Sequence, residues 1–265
     1  MTADVGYFGP DSVTWRVHRE PVSMVGGLRA LLLQALHPGA MALLAQRSNF
    51  RSDPWQRFRA TVEYVGVVCF ATRPDVDAAA AKVREVHAAL GVDDPQQLAW
   101  VHLCLVDSFL AAARGAGLPV SDRDADRYVY EQRLAASLVG VRDELVPSTA
   151  SELDAGIAAF RPVLRCTADA REAARLVLAP PMQVPVRWAV PARAAWTTAA
   201  ALAAGLVPDW ALRMYRVPVL PGRRAATSVG LHAVRGAVRT LPTRYREGPM
   251  ARQARERAEA AVRRS

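Results

Sequence analysis

The sequence predicts an all-α fold, formed by a single globular domain of many helices. Apolar residues recur at intervals of three and four along nearly the whole chain, as they do on one face of a helix. No stretch alternates apolar and polar residues in the way a half-buried strand does. Aromatic residues make up only 7% of the chain while alanine is abundant, a composition that suits close-packed helices better than sheets.

The 265 residues show no internal repeat and no change in composition that marks a linker. We divide them into a lead-in (residues 1–23), a helical domain (24–243) and an arginine-rich C-terminal helix or tail (244–265). The expected helices, in chain order, are residues 24 or 27 to 46 with a kink at Pro38, 54–70, 72–90, 95–113, 123–139, 151–160, 167–178, 192–206, 227–240 and 248–264.

The helix starts rest on local capping signals. Asp53-Pro54 and Asp94-Pro95 each place an N-cap residue before a proline at the first helical position. Gly91 is suited to end the helix between them, because glycine adopts the left-handed conformation without a steric penalty.

Two further caps are expected from short side chains. Thr72 with Asp75 three residues later resembles a capping box, with aspartate in place of the usual glutamate. Ser121 follows a loop and can cap the helix that begins near residue 123.

The net charge of +9 and the pI near 10.3 do not lead us to predict nucleic-acid binding. Lys82 is the only lysine among 34 basic residues, and the arginines are spread along the chain instead of forming one stripe. Residues 244–264 do concentrate arginine, and we expect a solvated, partly frayed helix there. A basic scaffold that binds acidic partners through this tail is an alternative hypothesis.

The cysteines and apolar stretches favour a cytoplasmic protein without a transmembrane span. Cys69, Cys104 and Cys166 lie far apart and form no CxxC pair, which fits a reducing compartment. The N-terminus has no secretion signal. The apolar stretch 28–46 is interrupted by polar residues, and 194–207 is too short to cross a bilayer. Peripheral contact with a membrane surface is kept as an alternative.

His87 raises the first functional question. On a helix it lies in line with Val76, Ala80, Val83 and Leu90, a stripe that should face a core. A buried histidine without a further role is common, so the position alone leaves a structural and a ligand interpretation open.

Arg84 precedes His87 by three residues, so both side chains leave the same side of the helix. A cation beside an imidazole is a poor way to build a core. It is a good way to hold an anionic group beside a metal that the imidazole binds.

The preceding helix carries a second polar set. Arg57, Thr61 and Tyr64 share one face with Val68. Arg57 could equally face solvent, and Thr61 could bond back to its own helix.

The remaining histidines are expected to be structural. A proline at position 38 frees the carbonyl of residue 34, and Gln34 with His37 could serve that opened backbone. His102 lies on an apolar helix face, and we interpret it as a buried polar side chain satisfied by neighbours. His18 and His232 stand in arginine-rich segments and need no special explanation.

Several catalytic signatures are missing from the sequence. It has no GxSxG elbow, no phosphate loop, no GxGxxG after a strand and no HExxH. No paired carboxylates lie at helical spacing on an apolar face, as a di-iron bundle requires. Hydrolase, nucleotide-binding and di-metal functions are therefore disfavoured.

Taken in order, several segments resemble a known family. "RALLLQALHPGAMALLAQRSNFRSDPWQRFRATVEYV", "VREVHAALG" and "DPQQLAWVHLCLVDS" are similar to DUF2236, the family of the latex-clearing rubber oxygenases and the catalytic domain of the fungal oxygenase MpaB. The joint order of HP, RxxxT, RxxH and WVH is specific, and the resemblance covers most of residues 24–217.

The resemblance implies an all-helical fold that encloses one b-type haem. The proximal iron ligand of the family is the histidine of RxxH, which is His87 here, with Arg84 as its motif partner. The RxxxT residues correspond to Arg57 and Thr61, which would line the haem pocket and donate to bound oxygen. An imidazole on the apolar stripe would then face a cofactor instead of other side chains.

Two departures from the family bear on the substrate. Rubber oxygenases carry a lysine directly before the RxxxT threonine, where this chain has Ala60, so the distal side of the iron is expected to be open. The link from His87 to Asp94 is also shorter than in many relatives.

The predicted function is that of a haem b-dependent oxidoreductase, an oxygenase that uses O₂ to oxidise or cleave an apolar small molecule, such as an isoprenoid. The electron donor is not indicated. The alternative is a non-catalytic haem-binding or sensing protein that uses the same His87 pocket.

Overall fold

The computed structural model describes residues 4–182 and 185–263. Over these ranges the chain consists of α-helices and loops without a strand, which confirms the predicted all-α class. The α-helices, in chain order, are α1 (Val13–His18), α2 (Ser23–Gln34), α3 (Pro38–Arg47), α4 (Pro54–Phe70), α5 (Arg73–Leu90), α6 (Pro95–Gly115), α7 (Asp122–Leu138), α8 (Ala150–Phe160), α9 (Ala168–Leu178), α10 (Val186–Leu206), α11 (Asp209–Met214), α12 (Arg223–Arg239), α13 (Thr243–Arg246) and α14 (Pro249–Val262).

Helix α6 is the centre of the domain. It buries apolar side chains around most of its circumference, including Trp100, Leu103 and Phe109. Helices α2, α7, α8, α10 and α12 pack around it. Such burial on all sides explains why the sequence of α6 is apolar beyond a single stripe.

Helix α2 lies closest to α6. A Cβ on Gly26 would come within 3.0 Å of the carbonyl oxygen of Ser108, so glycine permits the close approach of the two backbones. The Arg29 side chain crosses the same contact, where Nη1 donates to Asp107 Oδ2 at 2.7 Å and to Ser108 Oγ at 2.6 Å. In this ion pair Arg29 is buried and Asp107 is partly exposed.

The capping signals are largely confirmed. Asp53 and Asp94 accept from backbone N–H groups of the first turns of α4 and α6, and Ser121 forms a capping box at the start of α7. Gly91 ends α5 with φ +61°. Thr72 is the N-cap of α5 but does not form the predicted capping box, because its hydroxyl donates to the Asp75 carboxylate and accepts no bond from a backbone N–H.

Pro38 breaks the helix that the sequence predicts to be only kinked. Helices α2 and α3 meet at 101°. His37 is the N-cap of α3, and its Nδ1 accepts from the Ala40 N–H at 3.1 Å. The freed carbonyl of Gln34 accepts from Trp100 Nε1 at 3.4 Å. The expected structural role of His37 is thus observed at the helix start.

The two ends of the chain pack more tightly than expected. The segment predicted as a loose lead-in contains α1, in which Val13, Trp15 and Val17 are 0–2% exposed. The segment predicted as a solvated tail contains α14, which buries Ala251 and Ala254 against α4. Small side chains let this helix lie close to its neighbour although arginines cover its other face.

Within the described ranges, one helix is long and apolar enough to cross a membrane. It is α6, and 67% of its most apolar window is buried inside the domain. Helices α2 and α3 pass the same test only if taken together across their bend.

Candidate functional site

Helices α4 and α5 form a hairpin whose residues are buried at one end, and we call the other, accessible end the open end. Near the turn at Ala71, α4 buries Val68 and Phe70, and α5 buries Val76 and Ala80. No residue of either helix is buried at the other end, where α4 starts and α5 finishes. The open end carries the RxxxT and RxxH residues.

His87 lies at this open end. Its stripe begins in the core at Val76 and Ala80 but continues as half-buried Val83, His87 and Leu90. The His87 Nδ1 atom is buried and has no hydrogen-bond partner in the described part of the chain. Burial lowers the pKa of His87, and the nearby Arg57 guanidinium lowers it further against the opposing effect of Asp93. The imidazole is therefore held neutral, the form that ligates metals.

Tyr64 is a second buried group without a partner. Its hydroxyl has no hydrogen bond among the described residues. Burial raises the pKa of Tyr64 to about 12, opposed by the positive charge of Arg84. The structure thus brings Arg57 towards His87 and Arg84 towards Tyr64, so that the two motifs face each other across the hairpin.

Arg57 is partly enclosed by protein, and Thr61 bonds to its own helix. Arg57 is exposed as a residue, yet the protein around its guanidinium is close enough to lower its pKa by desolvation. The Thr61 hydroxyl donates to the Arg57 carbonyl at 3.1 Å, the bond back to its own helix that the sequence left open.

One N–H donor of the Arg84 guanidinium already has an acceptor. Its Nη1 donates to the Leu138 carbonyl at 2.6 Å, one of the free carbonyls at the end of α7. Arg84 therefore ties α5 to α7, and four of its five N–H donors are left for other partners.

Two clefts flank the N-terminal half of α4. The first has a cavity volume of about 150 Å³ and is lined by Arg57 and Thr61 together with mostly apolar side chains from α2, α3, α9 and α10. The second has a cavity volume of about 430 Å³ and lies between α1, α2, α4 and the start of α14. Leu31, Phe58 and Thr61 line both clefts, so they adjoin. His87 lines neither.

The other histidines lie apart from the hairpin. His102 is buried, and burial lowers its pKa to about 4. His232 is exposed and hydrogen-bonds its own helix at the Ser228 carbonyl, 2.8 Å away.

Sequence reasoning missed two residues that line the clefts. Gln34 lines the first cleft, and His18 lines the second. His18 seemed unremarkable because its neighbours in sequence are arginines. The segment around it is predicted as a lead-in, and its sequence carries no local signal for the burial of α1.

Within the described residues, no group of three or more histidine, cysteine, aspartate or glutamate side chains could hold a metal ion. A metal site built from protein ligands alone is thus not found in residues 4–182 and 185–263. A cofactor that brings its own equatorial ligands needs only one protein ligand.

Comparison with known families gives one match. Residues 15–242 match the family described as "ER-bound oxygenase mpaB/B'/Rubber oxygenase, catalytic domain". None of the curated proteins matches the chain, and none of the solved structures does.

Proposed function

Because this chain belongs to the family of the MpaB and rubber oxygenase catalytic domains, we propose that it is a haem b-dependent oxygenase. Its substrates would be O₂ and an apolar small molecule, such as an isoprenoid. The family supports oxygenase activity, and the haem and the substrate class are our inference from the site.

One observation carries the proposal. His87 Nδ1 and the Tyr64 hydroxyl are both buried without a partner, on the facing sides of an open helix hairpin. Buried polar atoms are rarely left unpaired, because each costs about 1–3 kcal/mol. A planar apolar group with polar substituents, bound between α4 and α5, would cover the exposed half of the His87 stripe. These unpartnered groups support the proposal that a haem binds here.

Each motif residue has a role in this proposal. His87 would ligate the iron through its neutral imidazole, and the free N–H donors of Arg84 would pair with a propionate. Arg57 offers donors beside the first cleft, and Thr61 lines the same cleft while its hydroxyl donates to the Arg57 carbonyl. When bound, a haem supplies the iron centre at which O₂ is activated. Ala60 offers no side chain that could ligate the distal side.

The apolar walls of the two clefts support the proposed substrate class. The first is lined mainly by aliphatic and aromatic side chains, including Leu28, Met41, Phe58 and Trp196. Such walls favour ligands with little polar surface. From the cysteine pattern alone we propose a cytoplasmic location. We specify no electron donor.

The absorption spectrum of the purified protein tests the proposal. A Soret band, present on purification or after haemin is added, is expected for the wild type and for the control His232→Ala, which removes an exposed imidazole. His87→Ala should lose the band or shift it. In His87→Gly, added imidazole should restore the wild-type spectrum.

Two outcomes would contradict the proposal. If wild-type protein binds no haemin, or if His87→Ala keeps an unchanged spectrum, His87 is not the ligand. If the band is present but no O₂ is consumed with a reductant and a lipid-like substrate, the alternative of a haem-binding or sensing protein is favoured.

A further inference from the structure

The second cleft contains a buried histidine whose hydrogen bonding is incomplete. His18 ends α1, lines the cleft and is 9% exposed. Its Nε2 lies 3.0 Å from the Tyr128 hydroxyl, and its ring packs on Phe109 with centroids 4.4 Å apart. These contacts hold the ring in a fixed orientation.

The partners of the ring assign its tautomer. Burial lowers the pKa of His18 to about 4, so the ring is neutral and carries one N–H. Tyr128 is fully buried, and in the described part of the chain its hydroxyl bonds only to His18 Nε2. If Nε2 carried the proton, the tyrosine hydroxyl would have no acceptor. Tyr128 therefore donates to Nε2, and the proton is on Nδ1.

The Nδ1–H donor of His18 stays accessible. It makes no hydrogen bond within the described residues, and it is not among the inaccessible atoms that lack a partner. It therefore keeps accessible surface while its residue lines the cleft. A neutral donor of this kind recognises a ligand oxygen without requiring a charge on the ligand.

The rest of the cleft favours an apolar ligand body. Its wall includes Val65, Phe70 and Met250, and its rim exposes Met24 (40%) and Val62 (45%). Exposed apolar side chains that continue into a cleft are typical of a binding site for an apolar ligand.

Two of the charged groups at the cleft have partners outside it. Glu20 pairs with Arg235 at 2.9 Å. Arg246 donates through Nη1 to the Arg239 carbonyl and through Nη2 to Thr243 Oγ1, although its Nε has no partner among the described residues. Arg19 is exposed to solvent. His18 thus offers a neutral donor beside an apolar wall.

We infer that the second cleft binds an apolar molecule with a neutral oxygen, such as a ketone or aldehyde, and that His18 Nδ1 donates to this oxygen. The inference deepens the proposed function, since such a molecule would be the substrate of the adjoining site. Phe58 and Leu31, which line both clefts, would lie between the bound oxygen and the first cleft.

Displacement of the apolar dye Nile red measures this recognition. The probes are octane and 2-octanone. For each protein we compare the ratio of the dissociation constant of octane to that of 2-octanone. A net hydrogen bond makes this ratio about fivefold larger in wild type than in His18→Phe, which keeps a ring between Phe109 and Tyr128. His232→Phe, which replaces an exposed histidine that lines neither cleft, should leave the ratio unchanged.

The inference fails if His18→Phe keeps the wild-type ratio or if neither probe displaces the dye. It also fails if octanoate binds more tightly than 2-octanone and its affinity is the same in His18→Phe, because an arginine would then recognise the ligand. No turnover or Soret band is measured, so the result is separate from the test of the proposed function.

Spectroscopy of wild-type protein gives a second test that does not depend on the folding of a variant. Nitrogen-15 spectra of labelled histidine should show the Nδ1–H tautomer for His18. Its Nδ1 resonance should shift with 2-octanone and not with octane. A ring protonated on Nε2, or one whose resonances do not move, would overturn the inference.

Discussion

Replacing Tyr64 with phenylalanine should stabilise the haem-free protein. The hydroxyl of Tyr64 is buried without a partner, and such a group costs about 1–3 kcal/mol. Phenylalanine keeps the ring in its packing and removes only the oxygen. We expect the free energy of unfolding to rise by about 1 kcal/mol, which for a chain of this size raises Tm by roughly 2–4 °C.

Tyr215→Phe is a matched control with the opposite sign. The Tyr215 hydroxyl donates to the Leu32 carbonyl at 2.6 Å, so its removal loses a hydrogen bond and leaves a carbonyl unpaired. We expect a loss of about 1 kcal/mol. Urea unfolding followed by circular dichroism measures both variants on one scale, provided that the slopes with denaturant agree.

The stability advantage of Tyr64→Phe should shrink when haemin is added. If the Tyr64 hydroxyl contacts a bound group, Tyr64→Phe should gain less stability from haemin than wild type does, because ligand stabilisation follows affinity. A haem-free Tyr64→Phe protein that is destabilised as much as Tyr215→Phe would refute the reasoning, since the hydroxyl would then have a partner within the fold.

Two further predictions concern the packing. The folded pKa of His18 and of His102 is about 4, against 6.5 in the unfolded chain, so unfolding takes up protons between these two pH values. The free energy of unfolding should be highest above pH 6.5 and fall as the pH drops towards 4, by on the order of 3 kcal/mol per group. His18→Phe should lose about half of this pH dependence in urea titrations at several pH values. Gly205→Ala should lower the free energy of unfolding by about 1–3 kcal/mol, because a Cβ there would clash with the Thr227 side chain. Thr227→Ala in the same chain should restore most of the loss. If the stability changes of the two single variants simply add in the double variant, the contact is contradicted.

Much of the fold could be predicted because its signals are local. Asp53-Pro54 and Asp94-Pro95 start helices through bonds to the next turn, and such bonds depend only on neighbouring residues. The period of the apolar positions likewise assigned His87 to one face of its helix. The order of the RxxxT and RxxH motifs indicated the family that the comparison then matched.

The sequence could not predict burial that depends on distant segments. Residues 1–23 are predicted as a lead-in, yet α1 is buried because α4, α6 and α7 pack against it. The tail has the composition of a solvated helix, yet its alanines pack on α4. Neither contact leaves a local signal, because the residues that meet are far apart in the chain.

The candidate site divides along the same line. The sequence by itself determined that His87, Arg84, Arg57 and Thr61 stand on two successive helices, since helical spacing and caps are set within a few residues. Only the tertiary structure decided that the hairpin opens at their end, that Tyr64 joins them and that His18 faces a cleft. Those features depend on which side chains remain uncovered after all the helices have packed, and that is a property of the whole chain.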